Sequence, residues 1–177
     1  MEWGILRGRA IWIFSEPNFD VDRIVGVAHM TTTRVEELVR VCMRDFDATF
    51  PDHVQPNDLL IGGDNFGYGH PHYQAMIAMR AMGIVGVVAE SFAPDFLRGE
   101  AAAGFPLVMC AGILQGVTRF DVLEVDWRSA LVRNVTRNTE LRGTPLPAHL
   151  ADMIAAGGLL PHLQRRRSTR RWAPGPR

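Results

Sequence analysis

The stretch Gly62-Gly-Asp-Asn-Phe-Gly-Tyr-Gly-His-Pro-His-Tyr73 gathers four glycines, two of the six histidines and both tyrosines of the chain. Gly67 and Gly69 carry no Cβ, so backbone amides there can come close to a ligand. Imidazoles exchange protons near neutral pH, which makes His70 and His72 candidates for acid–base work or for holding an anion. A helix following directly would add unpaired N–H donors and about half a positive charge at its start. Together these groups suit a small carboxylate or phosphate. A plainer reading of the same residues is a glycine-rich turn whose imidazoles only cap a helix. The stretch has no Gly-Lys-Ser/Thr ending and no Rossmann glycine triplet. No third ligand sits at metal spacing beside His70 and His72, and the chain has no Gly-x-Ser-x-Gly elbow.

Holding such a loop takes a strand before it and a helix after it. Residues 58–62 supply the apolar strand. Residues 72–82 read as the helix, with Ala75, Met76 and Met79 toward the core and Pro71 where a first turn tolerates its missing N–H. Residues 84–89, 94–103 and 105–110 continue as strand, helix and strand, a β-loop-α-β-α-β unit with parallel strands. Upstream, residues 9–14 read as a short strand ending in a turn at 15–18. Residues 33–46 place Val35, Leu38, Val39, Cys42, Met43 and Phe46 on one face, with Thr33 and Glu36 spaced as a capping box, so a single helix is predicted. Downstream, 120–127 alternates and 130–135 follows after Arg128-Ser129, predicting an antiparallel hairpin. Residues 147–156 read as a short helix closed by Gly157-Gly158.

The 177 residues, 47% hydrophobic and 21% charged, suit one compact domain and exclude a mainly disordered chain. No run approaches the ~20 apolar residues of a membrane helix. The opening Met-Glu-Trp-Gly lacks the pattern of a secretory signal. Cys42 and Cys110 lie far apart in apolar stretches, predicting buried thiols in a cytoplasmic protein and no metal site in this chain. All 19 basic residues are Arg, and six of them follow Gln164 with no acid among them. Residues 1–163 therefore carry 13 Arg against 19 acids, a balance of −6. A nucleic-acid-binding domain would spread its positive charge over a folded face. Here the excess sits in residues 164–177, expected to be a flexible, solvated tail, with a clip onto an acidic partner as the alternative. The domain itself is expected over residues 1–163, an α/β unit mixing parallel and antiparallel strands.

Asp58-Leu-Leu-Ile-Gly-Gly-Asp-Asn-Phe-Gly-Tyr-Gly69, a helix, Gly83-Ile-Val-Gly-Val-Val-Ala-Glu-Ser-Phe-Ala93 and Phe96-Leu-Arg98 resemble the small subunits of 3-isopropylmalate dehydratase. These are swivelling domains of the aconitase family. The family pattern is a strand, Gly-x-Asn-Phe-Gly-x-Gly, a helix, and Val-Ile-Ala-x-Ser-Phe-Ala turning into an Arg-bearing helix. Asp20-Val-Asp22-Arg-Ile24 resembles its Asp-Thr-Asp-x-Ile, and Ala155-Ala-Gly-Gly-Leu-Leu160 its closing Ala-Gly-Gly-Leu. The match runs in order over residues 6–163. It implies a single swivelling β/β/α domain that pairs with a large subunit holding a [4Fe–4S] cluster on three cysteines, with no cofactor in this chain. Together the two would dehydrate a hydroxy dicarboxylic acid and rehydrate it with the hydroxyl moved, the small subunit's loop closing over a substrate carboxylate.

Relatives continue Gly-Ser-Ser-Arg-Glu-His where this chain has Gly69-His-Pro-His-Tyr-Gln74. By that correspondence His70 stands for the serine that acts as the base, and His72 for the carboxylate-binding Arg. Arg offers a permanent bidentate fork, whereas imidazole offers one donor per ring nitrogen and a charge only when protonated. The Arg that follows Ser-Phe-Ala becomes Pro94, Arg98 keeps the later Arg position, and Val21 replaces the Thr before Asp22. The resemblance thus implies His70 as the catalytic base, and Asp22, Asn65, Gly67, Gly69, His72 and Arg98 around an altered substrate. The competing expectation is a noncatalytic assembly or dicarboxylate-sensing subunit of the same fold.

Overall fold

Strand β1 (Ile5–Phe14) pairs in opposite senses along its two halves and so joins two kinds of sheet. Its first half runs antiparallel to β5 (Val122–Asp126), and its second half runs parallel to β2 (Leu59–Gly62) from Ala10 onward. A register shift between Ala10 and Trp12 marks the changeover. The chain turning into β2 presses on this point: a Cβ on Gly8 would lie 1.7 Å from the Asn57 carbonyl oxygen. Strands β3 (Gly86–Ala89) and β4 (Leu107–Met109) extend the parallel side, while β6 (Leu131–Asn134) and β7 (Thr139–Arg142) extend the antiparallel side. The order is β4-β3-β2-β1-β5-β6-β7. The structure is a computed structural model that describes residues 4–70 and 72–169.

Every residue of β2 and β3 is buried, as expected for parallel strands covered on both faces, whereas β5 alternates between buried and half-buried positions. The covering helices are α1 (Val35–Val41), α2 (Phe50–His53), α3 (Tyr73–Ala81), α4 (Pro94–Ala102), α5 (Ile113–Gly116), α6 (Ala148–Ala156) and α7 (Leu159–Thr169). Helices α3 and α4 are the crossovers β2-α3-β3 and β3-α4-β4. α1 packs on α3, and α6 and α7 pack on α4. An aromatic cluster fills the space beneath the β2–α3 loop. Phe14 lies 4.3 Å from Phe19, Phe19 stacks on Phe66 at 5.7 Å, and Phe66 meets Phe96 edge-on at 5.4 Å. No described helix is long and apolar enough to cross a membrane.

The helix expected over 33–46 stops at Val41. Cys42 turns extended (φ −57°, ψ 127°) and Met43 goes left-handed (φ 63°), which lets its N–H reach the Ile24 carbonyl at 2.7 Å. The Thr33–Glu36 capping box is not formed; Arg34 occupies the cap without a side-chain bond. Residues 164–169, read from sequence as the start of a flexible tail, continue α7. Residues 170–177 of that stretch, and Pro71, lie outside the described residues.

Candidate functional site

The chain leaves β2 at Gly62 and crosses to α3 over the carboxyl ends of the parallel strands, the edge at which open α/β sheets bind ligands. The loop is tied down from beneath. Gly63 N–H donates to the Phe14 carbonyl at 2.7 Å, and Gly67 and Tyr68 N–H both donate to Phe19 O, at 2.9 and 3.1 Å. Asn65 adopts a left-handed conformation (φ 53°), donates its N–H to Ser91 Oγ at 2.7 Å and its side-chain amide to Asn18 Oδ1 at 2.7 Å. Ser91 in turn donates to Asp64. Gly67 has φ 83° and packs its bare Cα against the Phe96 ring. Asn65 and Gly67 thus build the loop. Gly69 (φ 94°) passes Asp20, whose Oδ2 lies 3.6 Å from where a Cβ would stand.

Asp22 sits in the 3-10 turn Val21–Ile24, whose start is capped by Asp20: Oδ1 of Asp20 accepts the Asp22 N–H at 2.9 Å. The side chain of Asp22 is 7% exposed, and its carboxylate reaches the start of α3. Oδ1 accepts the His72 main-chain N–H at 2.8 Å, and Oδ2 lies 2.8 Å from His72 Nδ1. His72 is the cap residue of α3, in extended conformation. The carboxylate therefore fixes both the entry of the helix and the ring.

His70, His72 and Tyr73 form one wall of a cavity of about 350 Å³; Asp95, Phe96, Gly99 and Glu100 of α4 form the other. Gly99 faces Tyr73 across it: a Cβ there would make an ordinary contact with Tyr73 Cε1 at 3.9 Å. Arg98 is not itself a lining residue, but it pairs with Asp95, which is, both side chains being exposed. Glu100 is buried and pairs with Arg80, which lies 4.6 Å over the Phe105 ring.

Burial pushes the Glu100 carboxyl above its ordinary 4.5, and Arg80 only partly pulls it back. A group whose folded value is raised weakens the fold while ionised and stops doing so as pH falls through that value. The melting temperature of Glu100→Gln minus that of the native chain is therefore expected to grow as pH rises from about 4.5 to about 7.5. Each 1.4 kcal/mol of that effect corresponds to about 3–6 °C for a chain of this length. A difference that stays flat across this range would contradict the burial argument. Loss of the Arg80 pair adds only a constant offset.

The small subunit of isopropylmalate/citramalate isomerase from Methanocaldococcus jannaschii is 37% identical over 162 residues, covering 92% of this chain and 95% of that protein. A 3-isopropylmalate dehydratase small subunit from Methanopyrus kandleri is 37% identical over 161 residues, 91% of this chain and 94% of its own. The chain belongs to the 3-isopropylmalate dehydratase small-subunit family. The crystal structure of 3-isopropylmalate dehydratase from Methanocaldococcus jannaschii matches it with a TM-score of 0.81 at 29% identity, covering 93% of this chain and 96% of that one. No protein-family model matches the chain.

As a member of this family the chain is a small subunit of a hydro-lyase, which favours the enzyme-subunit expectation over a noncatalytic one. The expected swivelling α/β fold with parallel and antiparallel strands is the one observed. The family resemblance implies an iron–sulfur cluster on the large partner rather than on this chain, whose two thiols are sealed from solvent. Cys42 and Cys110 are free, 1% and 0% exposed, and burial pushes them up to about 12 and about 11, Glu90 adding to the effect at Cys110. Cys42 Sγ lies 4.0 Å from Met79 Sδ. Among the described residues no group of three or more His, Cys, Asp or Glu is arranged to hold a metal ion.

Proposed function

We propose that the cavity between the β2–α3 loop and α4 receives one end of a hydroxy dicarboxylic acid. This chain and a large partner subunit carrying a [4Fe–4S] cluster dehydrate that acid and rehydrate it with the hydroxyl moved. One observation carries the reading: two imidazoles and the first turn of α3 meet in a single cavity at the ligand-binding edge of the sheet. The relatives named above are isomerase and dehydratase subunits for isopropylmalate and citramalate, which supports the substrate class.

The two imidazoles divide proton transfer and carboxylate binding between them, and the open amides of the α3 start add donors for an anion. Asn65, Gly67 and Gly69 shape the loop around the substrate, and Asp22 holds the helix start against it. Arg98, one turn along α4 from Asp95, exchanges its exposed partner for the second carboxylate. Imidazole in place of a family Arg anchors a carboxylate less firmly, so the substrate differs from that of relatives at this end. Two free, buried thiols suit a reducing cytoplasmic setting.

The test is anaerobic co-purification with the large partner, cluster reconstitution, and a hydration assay over a panel of unsaturated diacids. Turnover is expected only with both subunits present. A reconstituted complex that hydrates none of the panel removes the proposal.

A further inference from the structure

Matching the loop to relatives assigns the base to His70, yet the two imidazoles are held in very different ways. His70 is exposed and makes no hydrogen bond among the described residues. Among the described residues nothing fixes its ring or chooses which nitrogen carries the hydrogen. The His72 ring lines the same cavity, is 49% exposed on that side chain, and is gripped at Nδ1 by Asp22. We propose that His72, oriented by Asp22, takes the proton from the substrate carbon, and that His70 serves the substrate carboxylate. The assignment deepens the functional reading above and rests on it.

A carboxylate can only accept, so the 2.8 Å contact between Asp22 Oδ2 and His72 Nδ1 puts the hydrogen on Nδ1. Nε2 then carries the bare lone pair. Both oxygens of Asp22 are used on His72, one on its main chain and one on its ring, which fixes the position of the ring as well as its tautomer. Among the described residues no arginine reaches Asp22, and the chain contains no lysine. A carboxylate on a side chain that is 7% exposed is thus answered by one amide and one imidazole, and a proton arriving on Nε2 turns that imidazole into its ion-pair partner. The same arrangement lets a buried carboxylate stabilise the imidazolium of a hydrolase triad. His70, with a free ring on a glycine-jointed segment, can follow a carboxylate without needing a fixed tautomer.

The step balances as follows. The C–H proton beside the substrate carboxylate passes to His72 Nε2, and the C–H electron pair becomes the new C=C bond. The C–O pair leaves with the hydroxide on the adjacent carbon. The proton held on Nε2 then turns that hydroxide into water, which returns the ring to its starting state. Rehydration runs the same transfers backwards, with the hydroxyl adding at the other carbon. Asp22 touches none of the reacting atoms; it is a positioning residue.

The reconstituted two-subunit complex, assayed with whichever of 3-isopropylmalate, citramalate and the hydrated members of the diacid panel it turns over fastest, tests the division of labour. Removing a general base lowers turnover by about 10²–10⁴-fold. His72→Gln is expected to show that loss in kcat with little change in KM, whereas His70→Gln acts chiefly by raising KM. Asp22→Asn, whose amide can present a donor to Nδ1, follows His72→Gln in kcat, and Asp22→Glu recovers part of the loss. Imidazole ¹⁵N spectra of the full chain give a readout apart from activity: His72 in the Nδ1–H form natively, displaced from it in Asp22→Asn. Finding native His72 in the Nε2–H form overturns the assignment, even if every variant is folded and active. An active complex in which His72→Gln keeps its kcat overturns the assignment alone. A native complex that turns over no hydroxy diacid overturns the functional reading and the assignment together.

Discussion

Gly67→Ala is expected to lower the melting temperature by about 4–20 °C, around twice the loss from Gly69→Ala, two residues on, which is about 2–8 °C. Both glycines sit at positive φ, 83° and 94°, so both variants carry the left-handed strain of an L-residue, about 1–2 kcal/mol. Surroundings separate them. A Cβ on Gly67 would stand 2.2 Å from Phe96 Cγ and 2.4 Å from its Cβ. Phe96 cannot yield, because it is 2% exposed, meets Phe66 edge-on and stacks on Phe92 at 6.0 Å. Overpacking of this kind adds about 1–3 kcal/mol. A Cβ on Gly69 meets only Asp20 Oδ2 at 3.6 Å, an ordinary contact. Thermal melts of the two variants decide the matter, and equal losses would contradict it. Any relief at Gly67 would come from moving the loop that carries His70 and His72, so surviving Gly67→Ala protein should also lose turnover in the reconstituted complex.

That loop illustrates what a sequence displays openly and what it hides. Its glycines, its histidines and the strand and helix around it were legible, because apolar runs and turn residues are local signals. The parallel strands and the β5–β6 hairpin were legible for the same reason. Strand β7 was not, since Thr139-Glu-Leu-Arg142 is an exposed edge with no apolar face to mark it. The first half of β1 was missed because Gly8 and two arginines interrupt its alternation, and its pairing with β5 lies more than a hundred residues away. Helix α1 was overextended: an amphipathic pattern cannot reveal that Met43 finds a better partner in the Ile24 carbonyl. In the site, Asp22 was picked out by resemblance, but its grip on His72 spans 50 residues and has no local signature. Asp95, Gly99 and Glu100 share a helical spacing that sequence reading could have grouped. What faces them depends on how α3 and α4 cross the sheet.

Arg9→Ala is expected to destabilise the chain more than Asp58→Ala, although the two residues form one ion pair. Asp58, 2% exposed, sits just before β2 and accepts Arg9 Nε at 2.9 Å, Arg9 Nη2 at 2.7 Å and the Gln55 N–H at 2.8 Å. Arg9 closes the antiparallel half of β1 and is 26% exposed, so its guanidinium has a way out to water, and it also donates to the His53 carbonyl at 2.8 Å. Removing Arg9 strands a buried charge, a loss of about 3–5 kcal/mol. Removing Asp58 leaves a cation that can be solvated, an orphaned amide at Gln55 and the loss of a long 3.4 Å bond from the Arg9 amide, about 1–3 kcal/mol. The double variant should lose less than the sum, with a coupling of about 1–3 kcal/mol in urea midpoints. Zero coupling, or a larger loss from Asp58→Ala, would contradict this account of the β1 changeover. The pair lies at the opposite end of β2 from Gly62, where the loop departs. Below their melting temperatures these variants should therefore keep the kcat of the native complex, which separates the clamp that holds the two half-sheets together from the histidines proposed to act on the substrate.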